Sequence, residues 1–243
     1  MAVVGLLVVA PAALAQPKPS PTPISWELTF QPSGLTRIEV DTGKGLQTYW
    51  YMIYTVINST GKDIDFFPEV ARVGEINDEG SKGRATSQPA GAGGLVVDQA
   101  LVGLHPKVFE TIKQQYAKTQ PFLVSPAEAI GKLLQGKDNA RTSVIIFPDL
   151  DPRVTKFTIY FGGLSGEMVT LPSPKEEAKK PTGGGATAKP VKEAKPGGSE
   201  DEKAEAEVFV VRKTLAMPYT LPGDAKNRKT ATVAAGTMTW VMR

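Results

Sequence analysis

The chain has no cysteine in 243 residues. That excludes disulfides, thiolate chemistry, cysteine-ligated metals and a lipid-modified cysteine behind a leader, and it leaves an ordinary packed core as the source of stability. Histidine is nearly missing as well, with His105 the single example. Metal centres built from several histidines are therefore excluded. A Ser-His-Asp triad would have to use His105, which precedes Pro106 where a helix is predicted to start, and reads as a loop or helix-start histidine. No charge of one sign dominates either. The 28 basic and 25 acidic residues leave a formal charge of +3, a mixed surface that does not point to nucleic acid.

What is present begins with an uncharged apolar start. Met1 to Ala15 runs through Val3-Val4-Gly5-Leu6-Leu7-Val8-Val9 to Ala13-Leu14-Ala15, the hydrophobic region and small-x-small cleavage site of a secretory signal peptide, too short to span ~30 Å of hydrocarbon. No Lys or Arg precedes Lys18, so the charged n-region of such a leader is missing. Residues 16–23 place proline at every second position and read as an extended tether. The expected location is periplasmic or extracellular, with no integral membrane span after signal cleavage.

The strongest secondary-structure signal is Tyr49-Trp50-Tyr51-Met52-Ile53-Tyr54-Thr55-Val56-Ile57, ended by Asn58-Ser59-Thr60-Gly61-Lys62-Asp63. Both alternating sets are apolar, so the spacing predicts a strand covered on both faces. Trp26 to Phe30 and Arg37 to Val40 alternate with period two and are predicted to flank it as half-exposed strands. Val70 to Ile76, Thr142 to Phe147 and Val154 to Phe161 read as further strands. The Pro148-Asp149-Leu150-Asp151-Pro152 turn between the last two is long enough to cross between sheets as easily as to close a hairpin.

The middle of the chain breaks this rhythm. Val108, Phe109, Ile112 and Tyr116 stand at helical spacing after Pro106. A second helix is predicted from Ser125-Pro126-Ala127-Glu128, a capping box with proline at the first helical position, to about Gly136. Residues 174–206 hold seven Lys, seven Asp or Glu, four Pro and five Gly with one Val and no larger apolar residue. Such a composition cannot offset chain entropy and predicts a disordered insertion. Residues 207–243 return to strand pattern in Val208 to Val211 and Thr237 to Met242, and are too few for a domain of their own.

Motifs that could carry chemistry are weak. Gly163-Leu164-Ser165-Gly166-Glu167 lacks the last glycine of a nucleophile elbow and reads as a strand-end turn. Asp149 and Asp151 could hold a cation, but between two prolines they read as turn chemistry. Glu75 to Gly80 fails as a calcium loop, since its twelfth position falls on Thr86. Ala90-Gly91-Ala92-Gly93-Gly94 lacks the elements of a dinucleotide fingerprint or a P-loop. Tyr49, Trp50, Tyr51, Tyr54, Phe66 and Phe67 could form a ligand platform, but read first as core. Asn58-Ser59-Thr60 matches a glycosylation acceptor and marks an exposed turn. No catalytic, cofactor-binding or metal-binding residue is assigned, and no ligand-binding residue can be named.

Tyr54-Thr55-Val56-Ile57-Asn58-Ser59-Thr60-Gly61-Lys62-Asp63-Ile64 resembles the strand-turn-strand of exported bacterial immunoglobulin-like domains. His105 to Phe109, Gly131 to Ala140 and Phe161 to Ser165 are similar to segments of exported planctomycete-type proteins. The resemblance covers about residues 45–166 and the end of the chain; it implies an immunoglobulin-like sandwich and an envelope setting, and no activity. The expected organisation is a signal peptide at 1–15, a tether at 16–23, a mainly β sandwich over 24–173 with helices near 104–136, an insertion at 174–206 and final strands in 207–243. The expected function is a non-catalytic binding or structural module of the bacterial cell envelope, with a protein or glycan of the envelope as partner. The alternatives are an exported carboxylate-based hydrolase, using paired Asp or Glu as acid and base, and a membrane-tethered envelope component.

Overall fold

The computed structural model describes residues 17–43, 45–76, 95–100, 103–172, 208–223 and 231–243. The signal peptide, the Gly-rich run at 90–94 and the insertion at 174–206 lie outside the described residues. In chain order the elements are β1 (Thr29–Pro32), β2 (Thr36–Asp41), β3 (Leu46–Asn58), β4 (Ile64–Phe66), β5 (Glu69–Ile76), β6 (Leu95–Gln99), α1 (Pro106–Gln115), β7 (Gly131–Leu133), β8 (Gly136–Pro148), β9 (Val154–Gly162), β10 (Met168–Pro172), β11 (Val208–Thr220), β12 (Ala234–Ala235) and β13 (Thr239–Met242). The fold is mainly β.

β3 organises the first sheet. One of its edges carries β2 along Leu46 to Tyr51 and β1 along Tyr54 to Ile57, and the other carries β8. The second sheet runs β10-β11-β9-β5-β6, with β12 and β13 also on β11. β4 and β7 form a separate two-stranded ladder. All pairings between named strands are antiparallel. The chain leaves the first sheet at Pro148 and enters the second at Val154, so of the two courses open to the proline-flanked turn it takes the crossing rather than the hairpin.

The two-sided apolarity of β3 has a direct structural cause. Trp50, Met52, Tyr54 and Val56 point into a cluster shared with Phe157, Ile159 and Phe161 of β9 and Leu215, Met217 and Tyr219 of β11. Tyr49, Tyr51 and Ile53 point the other way, against Val108 and Ile112 of α1. A strand pressed between two apolar layers needs apolar residues at both parities, whereas a half-exposed strand needs them at one. The helix begins as its sequence predicts, with Pro106 in the first turn and the His105 carbonyl accepting from Phe109 N–H at 3.1 Å.

The second predicted helix does not form. Its capping box is made: Ser125 N–H donates to Glu128 Oε2 at 2.8 Å, and Glu128 N–H donates to Ser125 Oγ at 3.3 Å. The box closes a single turn. Gly131 then takes φ +107° and Gly136 φ +106°, values outside the helical region, and Gly131 to Leu133 pair with β4 instead. Leu133 is fully buried while Leu134 is 47% exposed, which is strand alternation rather than a helical stripe. Long-range pairing outweighs a local start signal here.

Two further differences concern polar residues. Asn58 is fully buried. Its amide donates to the carbonyls of Lys62 (2.7 Å) and Leu133 (2.9 Å), and its Oδ1 accepts from Thr60 N–H and Oγ1–H. It staples the β3–β4 turn to β7 rather than marking an exposed loop. The proline-rich stretch is tied down at one point, where Ser20 N–H donates to Glu167 Oε1 at 2.8 Å and the Ser20 carbonyl accepts from Lys213 Nζ at 3.3 Å.

Candidate functional site

The face of the second sheet turned away from the shared cluster carries a wide hollow. Phe157, Ile159 and Phe161 of β9 point into the core, so strand alternation puts Tyr160 and Gly162 on the opposite face. Gly162 lies opposite Glu69 of β5. A Cβ there would stand 3.3 Å from the Glu69 carbonyl oxygen and 4.0 Å from Thr214 Oγ1. Because that Cβ is missing, the sheet surface is lowered between β5 and β11. The next residue, Gly163, has φ +83°, and a Cβ there would collide with the Phe67 carbonyl. The two glycines bring Phe67-Pro68 down against the end of β9 and floor a cleft of about 630 Å³.

The walls of this cleft are chemically mixed. Tyr160, Phe67 and Val210 supply aromatic and apolar surface, Gln99, Thr214 and Glu69 supply hydrogen-bonding groups, and Arg212 and Arg243 supply charge. Phe67 and Val210 are 59% and 49% exposed. The guanidinium of Arg243 lies 4.2 Å from the centre of the Tyr160 ring, a favourable cation–π contact. The main chains of Arg212 and Arg243 exchange both hydrogen bonds, at 2.6 and 3.0 Å. They are thus a directly opposed cross-strand pair whose side chains leave the sheet on the same face.

The residues weighed for catalysis do not converge. Asp149 accepts from Trp50 Nε1–H at 2.9 Å and from its own neighbour, Leu150 N–H, at 3.0 Å. Asp151 is held by the main chain and guanidinium of Arg153, which keep its carboxyl at about 2. Both aspartates perform turn chemistry, as their flanking prolines suggest. Ser165 Oγ accepts from Glu167 N–H at 3.2 Å. Ser165 sits beside the core residue Leu164, whereas His105 packs on Tyr49 across the first sheet, with ring centres 4.9 Å apart. The His105 Nε2 is buried without a hydrogen-bond partner, and burial pushes the imidazole below its ordinary pKa. It lines a mostly apolar pocket of about 240 Å³ beside β8 with Phe109, Val144 and Ile146.

A second carboxylate pair, which the sequence did not single out, does come together. Glu27 and Glu167 lie 3.0 and 3.3 Å from Lys213 Nζ. Lys213 is 2% exposed and stands over the Trp240 ring at 5.1 Å. Burial disfavours the ammonium, but the two carboxylates outweigh it and hold its pKa above the ordinary lysine value. One ammonium compensates only one of the two carboxylate charges, but it engages both glutamates in a compact ion cluster. With Ser20 bound across it, the cluster fastens the segment preceding β1 to the start of β11.

Among the described residues no group of three acidic or histidine side chains could hold a metal ion. No described helix is long and apolar enough to cross a membrane. Comparison with protein-family models, curated proteins and solved structures finds no match to this chain.

Proposed function

We propose that this chain is a non-catalytic binding module exported to the bacterial cell envelope, with an immunoglobulin-like sandwich architecture and the glycine-floored cleft of the second sheet as its ligand surface. The observation that carries this reading is the cleft itself. It is open, in the size range of small-ligand sites, and combines aromatic surface with a few convergent polar groups. The core cluster shared by the two sheets supports the sandwich, and the uncharged apolar start followed by Ala13-Leu14-Ala15 supports export. The hydrolase alternative gains nothing from the carboxylates, because Asp149 and Asp151 are held in turns and Glu27 and Glu167 are both tied to Lys213.

The test is co-sedimentation of the protein lacking residues 1–15 with isolated bacterial envelope polymers, compared with Tyr160→Ala. The expected result is saturable binding that the variant weakens at least tenfold, with no release of reducing ends or peptide. Absence of binding, binding indifferent to the variant, or turnover of the polymer would each overturn the reading.

A further inference from the structure

Arg212 and Arg243 are neighbours of like charge in a directly opposed pair, an arrangement that disfavours the folded sheet when nothing lies between them. Among the described residues neither guanidinium takes part in an ion pair. Both face the same cleft. Two adjacent forks of donors opening into a hollow match the oxygens of a carboxylate, which guanidinium groups bind bidentately.

The rest of the cleft narrows the ligand. A volume of about 630 Å³ far exceeds a single ion and suits a ring-sized body. Glu69 lines the same hollow, and its carboxylate would repel a densely anionic polymer. It would, however, accept hydrogen bonds from hydroxyl groups, as would Gln99 and Thr214. Phe67 offers exposed aromatic surface for the C–H face of a ring. We propose that the cleft binds an acidic saccharide of the uronic acid class, with the sugar carboxylate between Arg212 and Arg243 and the ring hydroxyls toward Glu69, Gln99 and Thr214. This inference rests on the binding-module reading above and names its ligand class.

The test is calorimetric titration of the protein lacking residues 1–15 with oligogalacturonate and oligoglucuronate. Fully methyl-esterified oligogalacturonate serves as the uncharged counterpart, and dextran sulfate and inorganic phosphate as anion controls. The expected result is binding of at least one uronate, weakened at least tenfold by esterification and by rising salt. Arg212→Gln should lower affinity at least tenfold, and Arg212→Lys should fall between, since it keeps the charge and loses the fork. Arg212 is exposed, and Arg212→Gln removes a like-charge neighbour, so its melting temperature should not fall; a folded variant with unchanged affinity would overturn the proposal. So would equal binding of the ester, no binding of either uronate, or equally tight binding of dextran sulfate or phosphate, which would mark an unselective attraction of anions to the arginines. Envelope binding that is lost in Tyr160→Ala yet intact in Arg212→Gln would sink the acidic-sugar assignment and leave the binding-module reading standing.

Discussion

The indole Nε1–H of Trp50 donates a 2.9 Å hydrogen bond to Asp149 Oδ1. Trp50 belongs to the middle of the central strand and Asp149 to the turn that carries the chain from one sheet to the other, so this bond fixes the crossover to the core it spans. Trp50 is 3% exposed. Trp50→Ala should destabilise by about 3–5 kcal/mol through lost burial and a residual cavity. Asp149→Ala should cost about 1–3 kcal/mol by leaving the indole donor unpaired. Denaturant unfolding measures both. An alanine at position 50 that leaves stability unchanged would contradict the core assignment.

Arg72 is 1% exposed, the largest of the fully buried side chains, in a strand otherwise read as ordinary. Its Nε and Nη2 donate to Asp98 on the neighbouring strand at 3.1 and 2.6 Å, and its guanidinium lies 4.9 Å from the Phe147 ring centre. Burial lowers its pKa, opposed by Asp98. Arg72→Ala should cost about 3–5 kcal/mol, while Arg72→Met, which refills the volume without a charge, should cost less than half as much. Equal losses in chemical denaturation would mean that the ion pair, not the packing, carries the energy.

Ser125 and Glu128 close one turn that leads into a strand. Ser125→Ala should cost about 0.5–2 kcal/mol, and the far-ultraviolet circular dichroism should keep its helical signal, because α1 does not depend on the turn. A loss of helical signal with the substitution would restore the second helix.

The Lys213 cluster sets a pH window. Glu167 has its pKa lowered, first by the Ser20 N–H bond, with Lys213 contributing, so its contribution is present above the ordinary glutamate value and is lost as pH falls. Lys213 has its pKa raised, so its contribution is present below the ordinary lysine value and is lost as pH rises through the raised one. Melting temperature should therefore hold a plateau between these limits and decline on both sides. In Lys213→Met the buried Glu167 loses its counter-charge. That variant keeps the Ser20 bond and loses only the Lys213 part of the shift, so its decline on the acid side should be shallower than the parent's and its alkaline decline should lose the Lys213 contribution. Melting curves from pH 3 to 11 decide it, and parallel slopes would refute the role of Lys213 as counter-charge.

The strands were legible where the pattern was local. β1 and β2 flanking β3 and the helix after Pro106 follow from residues a few positions apart, whereas the turn after Pro148 was legible as a turn but not as a crossing. The second helix failed because its start signal, Ser125 to Glu128, is local while the pairing of Gly131 to Leu133 with Ile64 to Phe66 is not. The burial of Asn58 was hidden for the same reason, since one of its partners is Leu133. The cleft left little trace: Gly162 and Gly163 read as a strand end, and Arg212 and Arg243 become neighbours only when β13 returns to β11. A like-charge pair so far apart in sequence has no periodic signature.

β9 pairs with β5 on one edge and with β11 on the other, and β11 holds β10, β12 and β13 as well. Most of these partners are made late, so during synthesis β9 waits with an open edge, and Ile159 and Phe161 lack Leu215 and Met217 until residues 208–220 have left the ribosome. The native contacts that close the second sheet are therefore of high contact order, which slows folding. A nascent chain of this design keeps one edge of β9 unpaired, and the core beneath it unsealed, until β11 has been made.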